Sequence, residues 1–192
     1  MSDVKNVLLA GVGGQGIILA SKILAEGLIQ AGYDVKMSEV HGMAQRGGSV
    51  TTQVRFGKRV YSPIIGKGQA DILVSFETME TGKWLEFLKP DGKVVVNEFE
   101  IPSAPILACD ADYPQGVIEA LKEKSDVTVF KAGELAEGIG NPRTANVIIV
   151  GALVKAMGLM DIDWNAVIKK TVKEKFVDIN IKALQVGMDQ VK

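Results

Sequence analysis

The sequence predicts an α/β fold, a three-layer α/β/α arrangement with a Rossmann-like first βαβ unit, a β-hairpin insertion and a helical C-terminal part. The first observation is the apolar run at residues 7–10, which leads into Gly11-Val12-Gly13-Gly14-Gln15-Gly16 and then into a helical pattern. The second is a pair of continuous apolar runs at residues 72–76 and 94–96, which are typical of buried parallel strands. The third is helical periodicity after residue 140.

The first elements follow from periodicity. Apolar residues recur at helical spacing over residues 17–31, and Gly32 is placed to end that helix. Residues 34–38 form the second strand, which delivers a polar, glycine-rich loop to the carboxyl edge of the sheet. Residues 50–56 alternate between the two faces, and Gly57-Lys58 then reads as a hairpin turn into a strand at residues 59–65.

The later elements return to α/β order. The apolar run at residues 72–76 precedes a helix over 78–88, and Pro90-Asp91-Gly92 predicts a turn before the strand at 94–96. Prolines make residues 101–109 an extended crossing. The remaining predicted elements are a helix at 114–124, a strand at 127–130, a helix from Asn141-Pro142-Arg143 to 156, a helix capped by Asp163 and a last helix at 178–191. The helix ending at residue 156 is apolar on almost every side, so it is buried in this domain or against a partner.

Length and composition limit the function. The chain has 192 residues and 47% hydrophobic content, which suits a single domain over residues 1–192. Its 22 basic and 23 acidic residues give no field that favours nucleic acid or acidic lipid. No run approaches the roughly 20 apolar residues of a membrane span, and the start does not read as a secretory signal, so we expect a soluble, cytoplasmic protein.

Cys109 is the only cysteine, which excludes an internal disulfide and a four-cysteine metal or iron–sulfur site built by this chain alone. Adjacent acids at 110 and 112 disfavour a reactive thiolate, so we interpret it as a packing residue. Trp84 and Trp164 lie on amphipathic helices and are interpreted as core or interface anchors. The basic run at residues 169–173 is interpreted as a solvated face.

The glycine turn is the first candidate site. Its glycines Gly11, Gly13, Gly14 and Gly16 precede a helix start, where backbone N–H groups and the helix dipole stabilise an anion such as phosphate. The alternative is that the glycines only permit tight packing of strand on helix. Glu39, at the end of the second strand, is placed to hold the ribose of a nicotinamide dinucleotide, but the residues after it do not continue a dinucleotide-binding pattern.

The loop after the second strand is the second candidate site. His41 is the only histidine and a weak catalytic candidate as a general base, although a structural hydrogen bond is the commoner role of a lone histidine. Arg46 stands beside Gly47 and Gly48, where a guanidinium can bind a carboxylate or phosphate with two hydrogen bonds. The alternative for Arg46 is a salt bridge to Glu39 or to a partner subunit.

Four motifs together carry a family resemblance. They are the glycine turn at 11–16, Ser38-Glu39-Val40-His41-Gly42-Met43-Ala44-Gln45-Arg46-Gly47-Gly48, Gly140-Asn141-Pro142-Arg143-Thr144-Ala145-Asn146 and Glu174-Lys175-Phe176-Val177-Asp178-Ile179-Asn180. In this order they resemble the gamma-type domain of the 2-oxoacid:ferredoxin oxidoreductases over almost the whole chain. Within that group the chain is similar to the small (beta) subunits of indolepyruvate ferredoxin oxidoreductase, in which H-G-M-A-Q-R-G-G is characteristic.

The resemblance implies an enzyme subunit that is inactive alone. A large (alpha) subunit would carry thiamine diphosphate, magnesium and iron–sulfur clusters, decarboxylate an aryl-pyruvate, pass electrons to ferredoxin and form an acyl-coenzyme A. Coenzyme A would be a shared substrate, and this chain alone would bind no cofactor. Three alternatives stay open: the gamma subunit of a pyruvate, 2-oxoglutarate or 2-ketoisovalerate enzyme, a free-standing nicotinamide-dependent enzyme, or a scaffold that touches no ligand.

Overall fold

A six-stranded mixed sheet forms the centre of the computed structural model, which describes residues 4–40, residue 41 by its backbone, and residues 48–123 and 125–192. The strand order is β2-β3-β1-β4-β5-β6. The strands are β1 (Lys5–Val12), β2 (Asp34–His41), β3 (Ser49–Gly57), β4 (Ala70–Ser75), β5 (Leu88–Asn97) and β6 (Asp126–Phe130). β1, β4, β5 and β6 run parallel, as their apolar sequences predict.

Helices cover both faces of this sheet. They are α1 (Ile17–Gln30), α2 (Thr78–Trp84), α3 (Ala104–Leu107), α4 (Val117–Lys122), α5 (Ala132–Gly138), α6 (Ala145–Ala156), α7 (Trp164–Thr171) and α8 (Val177–Met188), with short 3₁₀ turns at Leu85–Phe87, Pro142–Thr144 and Glu174–Phe176. One core joins α1 and α5–α8 to side chains such as Val7 and Leu9 of β1. A second core joins Leu8 and Ala10 of β1 to Ile65 and Leu121. The predicted three-layer α/β/α arrangement is confirmed.

The predicted hairpin is wrong in its position. β3 lies antiparallel between β1 and β2, so the hairpin is β2–β3, and residues 58–69 form no strand. Both edges of β3 are already occupied by neighbours, which leaves no free backbone edge for a further strand. Side chains of β3 instead form hydrogen bonds to the backbone of residues 62–65. The Arg55 guanidinium donates to the carbonyls of Ser62 and Ile64 at 3.0 and 3.1 Å, and Gln53 accepts from the Ile65 N–H at 2.6 Å.

Two further segments differ from prediction. Pro90-Asp91-Gly92 lies inside β5, where the pairing with β4 shifts register between Ala70 and Ile72, so it is an irregularity of the strand and not a turn that precedes it. Residues 101–109 include the short helix α3, because proline is favoured in a first helical turn. Cys109 follows that helix with φ +60° and is exposed, so its interpretation as a packing residue is wrong.

α6 is buried within this domain, which accounts for its apolar residues on every side. Residues 146–154 and Ala156 are buried. Its backbone packs closely on α8, since a Cβ atom added to Gly151 would overlap the Leu184 carbonyl and one added to Gly187 would overlap the Ile148 carbonyl. Over the described part of the chain, no helix is long and apolar enough to cross a membrane.

Candidate functional site

The loops of interest meet at one edge of the sheet. β1, β2, β4, β5 and β6 all point the same way, so the glycine turn, the loop after β2 and residues 76–77 and 97–99 lie at their carboxyl ends. The crossover from β1 through α1 covers one face, whereas the crossover from β4 through α2 covers the other. The carboxyl ends of β1 and β4 therefore flank a topological switch point, which is where α/β proteins bind ligands.

The Gln15 side chain bridges that switch point. Its Oε1 accepts from the Val12 N–H at 2.7 Å and its Nε2 donates to the Phe76 carbonyl at 2.7 Å. Asn97 Nδ2 donates to the same carbonyl at 3.0 Å, and Asn97 Oδ1 accepts from the Ala132 N–H at 2.8 Å. Two amide side chains thus connect β1, β4, β5 and the start of α5. Neither residue was among the predicted site residues, although Gln15 stands inside the glycine motif.

The glycines of the turn have different roles. A Cβ atom on Gly11 would lie 2.7 Å from Gln15 Oε1 and 2.8 Å from Phe76 Cβ, so Gly11 is required by packing. Gly16 has φ +79°, and its Cβ would lie 2.6 Å from Asn146 Nδ2. Gly14 has φ +102° and faces open space, while the Gly13 N–H donates to the Gly48 carbonyl at 2.9 Å. Gly14 thus has room for an approaching group, whereas Gly11 and Gly16 do not.

The start of α1 is suited to anion binding, because no side chain caps it and its first turn contains no acidic residue. The N–H groups of a first helical turn have no partner within the helix, so they are available to a ligand or to another segment.

Glu39 lies on the edge strand and is half-buried. It pairs with Thr52 of β3, which in turn pairs with Leu9 of β1. Glu39 is therefore two strand spacings, about 9–10 Å, from β1. In dinucleotide-binding proteins the acidic residue follows a strand directly beside the first, so the insertion of β3 separates Glu39 from the glycine turn more widely than that arrangement.

The loop carrying Arg46 and Gly47 lies outside the described residues, and His41 is described by its backbone pairing with Val50. The downstream end of the loop is held at two points. The Gly48 carbonyl accepts from the Gly13 N–H, which joins the two glycine-rich motifs as the shared edge predicts. The Ser49 hydroxyl donates to Glu80 Oε2 at 2.6 Å, and Lys83 Nζ donates to the other oxygen of Glu80 at 2.6 Å.

A buried carboxylate supports α2 beside this point. Glu77 is fully buried and caps α2, since its Oε2 accepts from the Glu80 N–H at 2.8 Å. Its Oε1 accepts from the Ile101 N–H at 3.1 Å and from the Tyr113 hydroxyl. Burial, together with the hydrogen bond to Glu77, raises the pKa of Tyr113 well above its usual range. Glutamate is not among the favoured N-cap residues, so the sequence carries no capping signal for this network.

Residues 6–190 match the family described as pyruvate ferredoxin/flavodoxin oxidoreductase. The chain belongs to this family. Across 97% of its length it is 38% identical to the indolepyruvate oxidoreductase subunit IorB of Pyrococcus horikoshii, of which it covers 96%. It is 31% identical to the common gamma subunit of the pyruvate/ketoisovalerate oxidoreductases of Pyrococcus abyssi, over 95% of this chain and 94% of that protein.

A solved structure agrees with the family assignment. The keto/oxoacid ferredoxin oxidoreductase gamma subunit of Geobacter sulfurreducens superposes with a TM-score of 0.71 at 25% identity, covering 97% of each chain. Within the described residues of this family member, no group of three or more histidine, cysteine, aspartate or glutamate side chains is placed to hold a metal ion.

Proposed function

We propose that this chain is the small subunit of an indolepyruvate:ferredoxin oxidoreductase, an enzyme that oxidises a 2-oxoacid and transfers electrons to an iron–sulfur acceptor. The observation that carries the proposal is the 38% identity to an IorB subunit over nearly the full length of both proteins. The similarity to a pyruvate/ketoisovalerate subunit supports the same reaction class with a different 2-oxoacid as the second candidate.

The cofactors of the reaction belong to the large subunit in this proposal. Iron–sulfur clusters are held by several cysteine thiolates, whereas this chain contributes one exposed cysteine, Cys109. Thiamine diphosphate supplies the carbanion chemistry that decarboxylation of a 2-oxoacid requires. In this proposal the large subunit also binds magnesium and the clusters and contacts ferredoxin. Coenzyme A accepts the acyl group.

The role of this chain is to complete the active site from the carboxyl edge of its sheet. The contact surface consists of Gly13, Gly14 and Gly16 of the turn, Glu39, and the loop residues Arg46, Gly47 and Gly48. The buried Gly11 supports the turn through its packing. The hydrogen bond from Gly13 to Gly48 supports a common surface, because it holds the turn and the end of the loop side by side. This surface faces either the phosphates of coenzyme A or the large subunit.

Reconstitution tests the function. The purified chain should oxidise no 2-oxoacid with a dye acceptor, and addition of the separately purified large subunit should restore coenzyme A-dependent turnover. Indolepyruvate should give the highest kcat/KM when compared with pyruvate, 2-oxoglutarate and 2-ketoisovalerate. A preference for one of the other three would select the second candidate, and turnover by the chain alone would overturn both.

Arg46→Lys separates the two possible contacts of the surface. The variant keeps the charge but loses the planar pair of donors, so a partner bound through two hydrogen bonds should be held roughly ten- to a hundredfold more weakly. Weaker coenzyme A binding with intact assembly assigns Arg46 to that substrate, and weaker assembly assigns it to the large subunit. Unchanged binding in both titrations would remove Arg46 from the surface.

A further inference from the structure

A cavity of about 300 Å³ lies between the first turn of α1, the start of α6 and the segment that follows α7. Leu19 contributes from α1, and Arg143 and Thr144 contribute from the turn that leads into α6. Thr171 is the last residue of α7, and Lys173 follows that helix. Volumes of about 300–1,000 Å³ are usual for small-molecule sites. None of the predicted site residues that the structure describes lines this cavity.

The charged side chains that line this cavity are cations. Among the described residues, Arg143 and Lys173 line it and no carboxylate does. No ion pair joins either cation to another described residue. A cation beside a cavity without a neutralising carboxylate attracts an anion.

Two helix N-termini add to this field. Leu19 lies in the first turn of α1 and Thr144 is the residue that precedes α6, and neither helix has an acidic residue in its first turn or a side-chain cap. Each end carries a partial positive charge of roughly half an elementary charge. The carboxyl end of α7 carries a partial negative charge that opposes this field. One carbonyl of that end, on Val167, already accepts a hydrogen bond from the Thr171 hydroxyl.

Asn146 fixes the two helix starts relative to each other. It is 6% exposed, and its Nδ2 donates to the Gly16 carbonyl at 3.2 Å, which joins the second residue of α6 to the residue before α1. Its Oδ1 is buried and accepts no hydrogen bond from the described residues. Burying an acceptor without a donor costs free energy, so the junction of the two helix starts holds an acceptor, two residues beyond Thr144 of the cavity wall, that the described residues leave unused.

The remaining wall of the cavity is partly apolar and partly polar, the polar part being lined by Asn141, Thr144, Thr171 and Asn180. Leu19, Val172 and Phe176 contribute hydrophobic surface beside the two cations. A ligand that satisfies both parts of the wall has an anionic group and an apolar body. Because an arginine binds planar oxyanions through two hydrogen bonds, the anionic group is a phosphate or a carboxylate.

We propose that this cavity is a second binding site, specific for a small organic phosphate or carboxylate with an apolar body. The anionic group binds between Arg143 and Lys173, and the apolar body packs on Val172 and Phe176. The site does not depend on which 2-oxoacid the assembled enzyme oxidises, so its failure would leave the proposed function intact.

Calorimetric titration of the full-length chain tests the proposal. The probes are phenyl phosphate, phenylacetate, inorganic phosphate and neutral benzyl alcohol. At least one of the two aromatic anions should bind with a measurable Kd, more tightly than inorganic phosphate, and benzyl alcohol should not bind. The preference between the two anions identifies the phosphate or the carboxylate as the group recognised.

Two variants and a matched control localise the binding. Arg143→Gln should weaken the bound aromatic anion by about ten- to a hundredfold, because a charge-assisted pair of hydrogen bonds is lost. Val172→Ala should weaken the aromatic anion while leaving inorganic phosphate unchanged. Lys169→Gln removes a neighbouring surface lysine that does not line the cavity and should change neither Kd. Melting temperatures of all variants confirm that each is folded.

Three outcomes would overturn the proposal. The first is an absence of binding by either aromatic anion at millimolar concentrations. The second is an equal loss of binding in Arg143→Gln and Lys169→Gln, which would indicate general attraction to surface charge. The third is no small-anion binding together with weaker assembly of Arg143→Gln with the large subunit, which would assign the two cations to a protein interface.

Discussion

Gln15 occupies the position at which an α/β sheet usually receives a ligand. Its amide forms hydrogen bonds to the Val12 N–H and the Phe76 carbonyl. These bonds, made within the chain, take the place of those that a ligand would make there. The glycine at position 11 makes this possible, because any side chain there would overlap the Gln15 oxygen. The G-x-G-x-x-G spacing in this chain therefore supports an internal cross-link between two strand ends as well as a turn.

The first prediction concerns that cross-link. Gln15→Ala should lower the free energy of unfolding by about 1–3 kcal/mol, because a donor and an acceptor near the switch point lose their partners. Urea denaturation measures the change. Gln30→Ala is the matched control, since the Gln30 amide makes one exposed hydrogen bond to Glu26 within α1, and it should be nearly neutral. Equal stability of the two variants would contradict a structural role for Gln15.

The second prediction concerns Tyr113. Its raised pKa means that the folded state holds the phenolic proton more tightly than the unfolded state does. The associated stability is fully present below the ordinary tyrosine pKa of about 10 and is lost as pH rises toward the folded value. Tyr113→Phe should therefore show a shallower alkaline loss of stability than wild type. Urea midpoints measured between about pH 8 and pH 11 provide the test.

Tyr61→Phe serves as the control for this experiment. Tyr61 is 82% exposed, and its removal should leave the alkaline loss of stability in place because the contact between Tyr113 and Glu77 is retained. Parallel curves for wild type and Tyr113→Phe would show that the Tyr113 proton is not linked to folding.

At the scale of elements, the sequence predicts best where packing is local. α1 and the strands β4 and β6 were predicted within a few residues, since periodicity and flanking glycines depend on each segment's own burial. The partner of β3 was predicted wrongly because pairing depends on which edge is free, and only the assembled sheet shows that β1 and β2 occupy both edges of β3. Helix α3 was missed because Pro105 within it and Pro102 before it also suit an extended chain.

The third prediction concerns the contact between α6 and α8. Gly187→Ala should lower the free energy of unfolding by about 1–3 kcal/mol or more, because the added methyl group meets the Ile148 carbonyl and the two backbones must separate. Gly133→Ala is the control: it lies in α5, where an added Cβ meets nothing within 4 Å. Its expected effect is a gain of up to about 1 kcal/mol, from the better helix propensity of alanine. Similar effects of both substitutions would refute the close approach.

On the scale of the whole molecule, the sheet couples two separate cores. Trp164 belongs to the core on the side of α1 and α6, and its indole N–H donates to the Leu159 carbonyl at 2.8 Å. Trp84 packs on the other core, with its ring 5.2 Å from that of Phe87. Strand β1 supplies alternate residues to both cores, so neither layer can unfold without exposing the other.

The fourth prediction follows from that coupling. The single-tryptophan variants Trp84→Phe and Trp164→Phe should report the same denaturant midpoint as circular dichroism of the same variant, because the chain unfolds as one unit. Trp84→Phe leaves Trp164 to report on the core beside α1 and α6, and Trp164→Phe leaves Trp84 to report on the other core. Two separated fluorescence transitions would show that the faces unfold independently.

The location of the candidate site could be predicted from the sequence better than the contacts within it. Strand order along the chain was enough to bring the glycine turn and the loop after β2 to one edge, and the bond between Gly13 and Gly48 joins them. The roles of Gln15, Asn97 and Glu80 were not predictable, because each acts through a hydrogen bond to a residue distant in sequence. Amide and carboxylate side chains carry no periodic signal that identifies such partners.

The position of β3 also governs the order in which the chain can fold. β1 and β2 share no hydrogen bond, and each acquires its first strand neighbour when β3 arrives: Val12 then pairs with Ser49, and His41 with Val50. During synthesis from the amino terminus, the first helix therefore emerges before any sheet can form, and its apolar face has no strand pair to cover. Native strand pairing must wait for β3, and the parallel pairing of Val7 with Ile72 must wait longer. Distant contacts of this kind slow folding, so we expect the glycine motif of the nascent chain to be complete in sequence before it acquires its structure.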